Sequence, residues 1–176
     1  MSSVRSLGGG GVTVVLTEPE FAALTKLEAD LMGTLAQRLQ DVSDGTVREH
    51  PLFPDAYSAD PEAAREFHSL TDVDLAGTKS DGARRIMDAF SAAPRHDWGP
   101  PWRRVPARTV EFDAELAHEL LRNLTDLRLL TAERLGIEHD EDLGRPGEEF
   151  ALDRALYWWL GETQEALVQA LAGGLL

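Results

Sequence analysis

The chain contains no cysteine. That absence excludes disulfides, thiolate metal ligands, cysteine nucleophiles and any dithiol switch. Lysine is scarce as well: Lys26 and Lys79 are the only two, and the other fifteen basic residues are arginines. No run approaches the ~18 consecutive apolar residues that a membrane-spanning helix needs. The residues before Gly11 carry one arginine and no apolar block, so no targeting helix is expected and the cytoplasm is the expected location. Catalytic signatures are missing too: neither HExxH nor GxSxG occurs.

What is present describes an acidic helical protein. The 176 residues suit one domain. Apolar residues make up 43%, enough for a core, and the formal net charge is −14. The charge is uneven. Six arginines between Arg84 and Arg108 face only Asp88 and Asp97, a local +4 that leaves −18 for the rest. A strongly acidic total opposes wrapping by nucleic acid, whose affinity comes from phosphate neutralisation. It suits solubility or a basic protein partner better.

Residues 1–11 read as a flexible glycine-rich leader and 12–176 as a single helical domain. Val12 to Leu16 is a β-branched run and predicts a strand. Thr17, with Glu20 three residues on, predicts a capping box that opens a helix to about Val42. Its stripe is Phe21, Leu24, Leu27, Leu31, Leu35, Leu39 and Val42. A proline-broken loop follows over 43–58. Asp60-Pro61-Glu62 starts the next helix. Thr71 with Asp72 and Asp74 reads as a restart running to about Phe90. Residues 91–106 form a loop rich in proline, tryptophan and arginine. Arg108 to Phe112 predicts a second strand, Asp113 caps a helix that stops at Gly136, and 137–150 is an acidic loop. The last helix spans about 151–172. The expected fold is mainly α: four to five helices around a two-stranded ribbon, with the two strand-then-helix units as a pseudo-repeat.

Chemistry is sparse. Glu115 and His118 share a helix face, but a di-iron bundle needs a second such step, and none exists. Gly77-Thr78-Lys79-Ser80 lacks the upstream glycine of a phosphate loop. No catalytic, metal or cofactor site is expected, and the chain does not read as an enzyme. The strongest functional patch is Arg84, Arg85, Arg95, Trp98, Trp102, Arg103, Arg104 and Arg108. Tryptophan and arginine are favoured interface anchors, and proline limits the entropy lost on binding. The plainer alternative is that the indoles fold back onto the helices while the arginines pair with the excess acids. The long leucine face of the first helix predicts a homodimer through Leu24, Leu27, Leu31 and Leu35, with Trp158 as an outward aromatic.

Three stretches together resemble one family. They are Leu52-Phe53-Pro54-Asp55-Ala56-Tyr57 followed by Asp60-Pro61-Glu62-Ala63-Ala64-Arg65-Glu66-Phe67; then Leu124-Thr125-Asp126-Leu127-Arg128-Leu129 with Arg134-Leu135-Gly136; then Tyr157-Trp158-Trp159-Leu160 with Gln164-Glu165-Ala166-Leu167-Val168. The chain is similar to the actinobacterial oxidative-stress regulators (AosR-like), a family long filed as a domain of unknown function. The resemblance implies a non-enzymatic, transcription-associated regulator of the oxidative stress response, with an extracytoplasmic-function sigma factor or RNA polymerase as partner. Direct DNA contact is the lesser expectation. The family's genes neighbour the ClpS adaptor and a cysteine-synthesis cluster, which gives the alternative of an accessory module of ClpS-linked proteolysis. Redox sensing in the family is attributed to cysteines, and this chain has none. Where the family commonly carries Asn, this chain has Thr125.

Overall fold

The computed structural model describes residues 3–54, 60–139 and 141–173. Its elements run β1 (Ser3–Ser6), β2 (Val12–Thr17), α1 (Glu18–Asp44), α2 (Pro61–Ser91), β3 (Arg95–Trp98), β4 (Val105–Phe112), α3 (Ala114–Leu135) and α4 (Ala151–Gly173). The mainly helical class stands. The ribbon, however, is a four-stranded antiparallel sheet in the order β1-β2-β4-β3.

The two expected strands pair at its centre, from Val12 opposite Phe112 to Thr17 opposite Ala107. Val12, Val14 and Leu16 of β2 and Val110 and Phe112 of β4 turn into the helical core. The alternate residues of β2 stay half-exposed, as a sheet with one covered face requires. The outer strands form where no strand was expected. Residues Ser3–Ser6 of the leader pair with β2. Residues Arg95–Trp98 of the proline-rich loop pair with β4.

Local chemistry fixes the helix ends. The Glu20 carboxylate accepts from the Thr17 N–H at 2.9 Å and from the Thr17 hydroxyl at 2.7 Å, tying β2 to the start of α1. Burial works to raise the Glu20 pKa, the Thr17 hydrogen bonds work to lower it, and on balance the carboxyl sits below its ordinary range. Asp60 caps α2 by accepting from the Glu62 and Ala63 amides. Asp113 does the same for α3 through Leu116. Gly136 then ends α3 with φ near +65°, a left-handed conformation that disfavours side chains.

The expected restart at Thr71 does not occur; α2 runs unbroken for 31 residues. Asp72 is not a cap there. It is buried at 2% exposure and engaged by Arg38 of α1. The loop expected over 43–58 is described only to residue 54, and residues 55–59 lie outside the described residues.

Leu24, Leu27, Leu31 and Leu35 are 0–6% exposed and belong to the core shared with the sheet and the other helices. Their burial is complete within one chain, so the leucine face does not require a second copy. At the end of the stripe, Arg38 is buried and Leu39 is 36% exposed. Among the described residues no helix is long and apolar enough to cross a membrane.

Candidate functional site

The arginines between residues 84 and 108 divide into three groups. Arg84 and Arg85 lie on α2, where they pair with Asp81 and with Glu115 of α3, both at 2.7 Å. Arg95 and Arg108 are register partners across β3 and β4. Both close on one carboxylate, Glu18 at the start of α1, at 3.1 and 3.4 Å. The Arg108 guanidinium also lies 4.6 Å from the centre of the Phe21 ring and donates to the Ala93 carbonyl. These two arginines fasten the β3–β4 hairpin to α1, and Glu18 adds a favourable charge at the helix N-terminus.

The third group is the hairpin tip. Trp102 is 85% exposed, and Arg103 and Arg104 are exposed beside it. Neither arginine meets a carboxylate among the described residues. The tip is a shaped turn: the Arg103 amide donates to the Pro100 carbonyl at 2.9 Å. Gly99 takes φ near +111°, and a Cβ there would stand 2.6 Å from the Arg103 carbonyl oxygen. Trp98 is half-buried, and His96 meets the Thr109 hydroxyl at 3.3 Å. The indoles therefore split: Trp98 folds partly inward while Trp102 projects.

Three polar clusters lie between the helices, and the apolar periodicity did not register them. In the first, Arg38 meets Asp72 twice, at 2.6 and 2.8 Å. It also donates to the Arg48 carbonyl and stacks 4.8 Å from the Phe53 ring centre. His68 Nδ1 stands 3.0 Å from Asp72. This cluster anchors the start of the α1–α2 connection. In the second, Lys79 of α2 bonds both oxygens of Asp126 at 2.6 and 2.8 Å. Burial still leaves the Asp126 carboxyl above its usual pKa despite that lysine.

The third cluster joins α1 to α3. Glu28 is 0% exposed and accepts from the Asn123 amide at 3.0 Å. Glu28 Oε1 and Asn123 Oδ1 are both buried without a partner. Burial pushes the Glu28 carboxyl up to about 8, with nearby Asp126 adding to the rise and the Asn123 bond opposing it. A neutral acid satisfies this site, because its O–H donates where an ionised carboxylate only accepts. All three clusters hold helices together. Among the described residues no group of three metal-ligating side chains converges.

On the outer surface, α3 and α4 form a seam. Arg128 lies between Gln164, which accepts from its Nη1 at 2.9 Å, and Tyr157, whose hydroxyl is 3.4 Å from Nη2. Gln164 in turn donates to the Thr125 hydroxyl at 2.7 Å. Trp158 stands 55% exposed next to Tyr157. The residues of this seam were in view in the sequence as two separate helical stretches; the fold makes them one surface. A groove of about 530 Å³ lies elsewhere, between the α1–α2 connection and the end of α3, lined among others by His50, Glu133, Ile137 and Arg145.

No curated protein and no solved structure matches the chain. One family model does, over residues 1–171, which is nearly its whole length. The chain belongs to the family described as a domain of unknown function, DUF2017.

Proposed function

We propose that the chain is a non-enzymatic regulator associated with transcription in the oxidative stress response, acting in the cytoplasm through protein contacts. The AosR-like resemblance supplies the process and the partner class, a sigma factor or RNA polymerase. The observation that carries the reading is the β3–β4 hairpin. It holds a tryptophan at 85% exposure beside two arginines on a turn braced by Gly99. Covering a tryptophan removes roughly 150–250 Å² of surface. At about 25 cal/mol per Å² that is several kcal/mol available to a partner. The cations favour an acidic surface around the pocket that takes the indole, and they stand out on a chain of net charge −14.

The test is a titration of the purified chain against RNA polymerase core and against holoenzyme carrying an extracytoplasmic-function sigma factor. Trp102→Ala with Arg103→Glu and Arg104→Glu is expected to weaken the contact by at least ~30-fold, the range for losing an anchoring aromatic and its charges. Unchanged binding of the triple variant contradicts the reading. A homodimer remains part of the proposal only through Trp158, because the four leucines are inside the chain; light scattering at tens of micromolar tests it.

A further inference from the structure

The seam between α3 and α4 carries a cation with no carboxylate partner among the described residues. Arg128 has five N–H donors, and its side-chain partners among the described residues are neutral: Gln164 and Tyr157. Its Nε is buried without a partner. The guanidinium lies over the bare backbone of Gly161, where a Cβ would stand 3.6 Å from Cζ. By contrast, Arg38, Arg84, Arg85, Arg122 and Arg134 each have a carboxylate within 3 Å. A half-buried guanidinium that holds only neutral partners keeps its attraction for an anion.

Along the same seam, toward the end of α4, lies an apolar groove of about 320 Å³. His118 and Leu121 of α3, Val168 and Leu171 of α4, and Gly10 line it. Leu121 and Arg128 are seven residues apart on one helix, two turns or about 10 Å. The seam thus presents an apolar slot and a guanidinium at helical spacing.

We propose that this seam docks an amphipathic helix of a protein partner. The partner's Asp or Glu sits on Arg128, and its apolar side chains two turns away enter the Leu121–Val168–Leu171 groove. The open walls favour a rod over a small enclosed ligand: Val168 is 48% exposed. A second copy meeting through Trp158 is a separate contact, since Trp158 neither lines the groove nor bonds Arg128. The inference rests on the reading of the chain as one that acts through protein contacts, but it uses a different face. The hairpin edge strand β3 and the β1 edge against which α4 packs are at opposite ends of the sheet.

The experiment is a display selection of helical peptides of about 18 residues, five turns, on the full chain. Selected peptides are then titrated by fluorescence anisotropy. The expected binders carry an acid seven or eight residues from an apolar pair. Their affinity falls at least ~30-fold on Arg128→Glu, as for a lost charge pair at an interface. It returns when the peptide acid is changed to lysine. Arg128→Gln, which keeps a neutral polar group over Gly161, loses affinity without the reversal and shows by its melting curve that the fold persists. The triple hairpin variant binds the peptides like wild type, so this contact and the hairpin contact are read separately. Failure to recover any binder, binders without the acid, equal affinity for Arg128→Glu, or peptide-competed self-association in place of peptide binding each overturns the proposal.

Discussion

Replacing Glu28 by glutamine is expected to stabilise the protein at neutral and alkaline pH and to leave it unchanged near pH 4. In the folded chain the Glu28 carboxyl is pushed up from 4.5 to about 8, by burial first. Between those values the unfolded chain releases a proton that the folded chain keeps. Folding stability therefore falls as pH rises through that window, by about 1.4 kcal/mol per pH unit, and levels off above 8. The whole window is worth about 5 kcal/mol, and about 3 kcal/mol has been lost by pH 7. Glutamine never ionises. Its amide accepts from the Asn123 amide and donates to Asn123 Oδ1, the buried oxygen that lacks a partner. Urea unfolding followed by tryptophan fluorescence at pH 4.5, 7 and 8.5 gives the difference between variant and wild type, in which titrating groups not coupled to Glu28 cancel. The difference should grow from near zero to several kcal/mol. A difference that stays constant with pH, or a glutamine variant less stable than wild type at pH 8.5, refutes the neutral acid–amide pair.

Three further outcomes follow from the packing. Asp72→Asn leaves the buried Arg38 guanidinium without its counter-charge and should cost about 3–5 kcal/mol in denaturant unfolding. Gly99→Ala forces a side chain into a left-handed turn and against the Arg103 carbonyl; a strain of about 1–3 kcal/mol should appear as faster amide exchange in β3 and the turn, with α3 unaffected. Trp102→Ala should change global stability by no more than about 0.5 kcal/mol, as expected of an exposed site, so that any lost partner contact is attributable to the surface.

Much of the helical frame was legible because its punctuation is local. The Thr17–Glu20 box, Asp60-Pro61, Asp113 and Gly136 mark helix ends by hydrogen bonds that span two to four residues, and each marks an end in the structure. The pairing of β2 with β4 could also be read, since both are short β-branched or aromatic runs leading straight into a cap. The outer strands were not legible. Ser3–Ser6 and Arg95–Trp98 have little strand patterning and take their form from the neighbour each pairs with. Asp72 looked like a cap because its partner, Arg38, lies 34 residues away on another helix. The arginine patch shows the same limit: Arg95 and Arg108 become fasteners only when Glu18 is brought between them. The exposed tip at Trp102, Arg103 and Arg104 is what the composition pointed to. The seam at Arg128 needed the antiparallel packing of α3 on α4 to exist at all.

The most direct measurement is a paired capture from oxidatively stressed cells, with the wild-type chain and the Trp102→Ala, Arg103→Glu, Arg104→Glu variant as baits and mass spectrometry of what each retains. A protein-contact regulator working through the hairpin predicts that sigma factor or polymerase subunits are held by the wild type and lost from the variant. The same set on both baits contradicts it, and so do ClpS or protease subunits in place of transcription proteins, which would move the chain to adaptor-linked proteolysis.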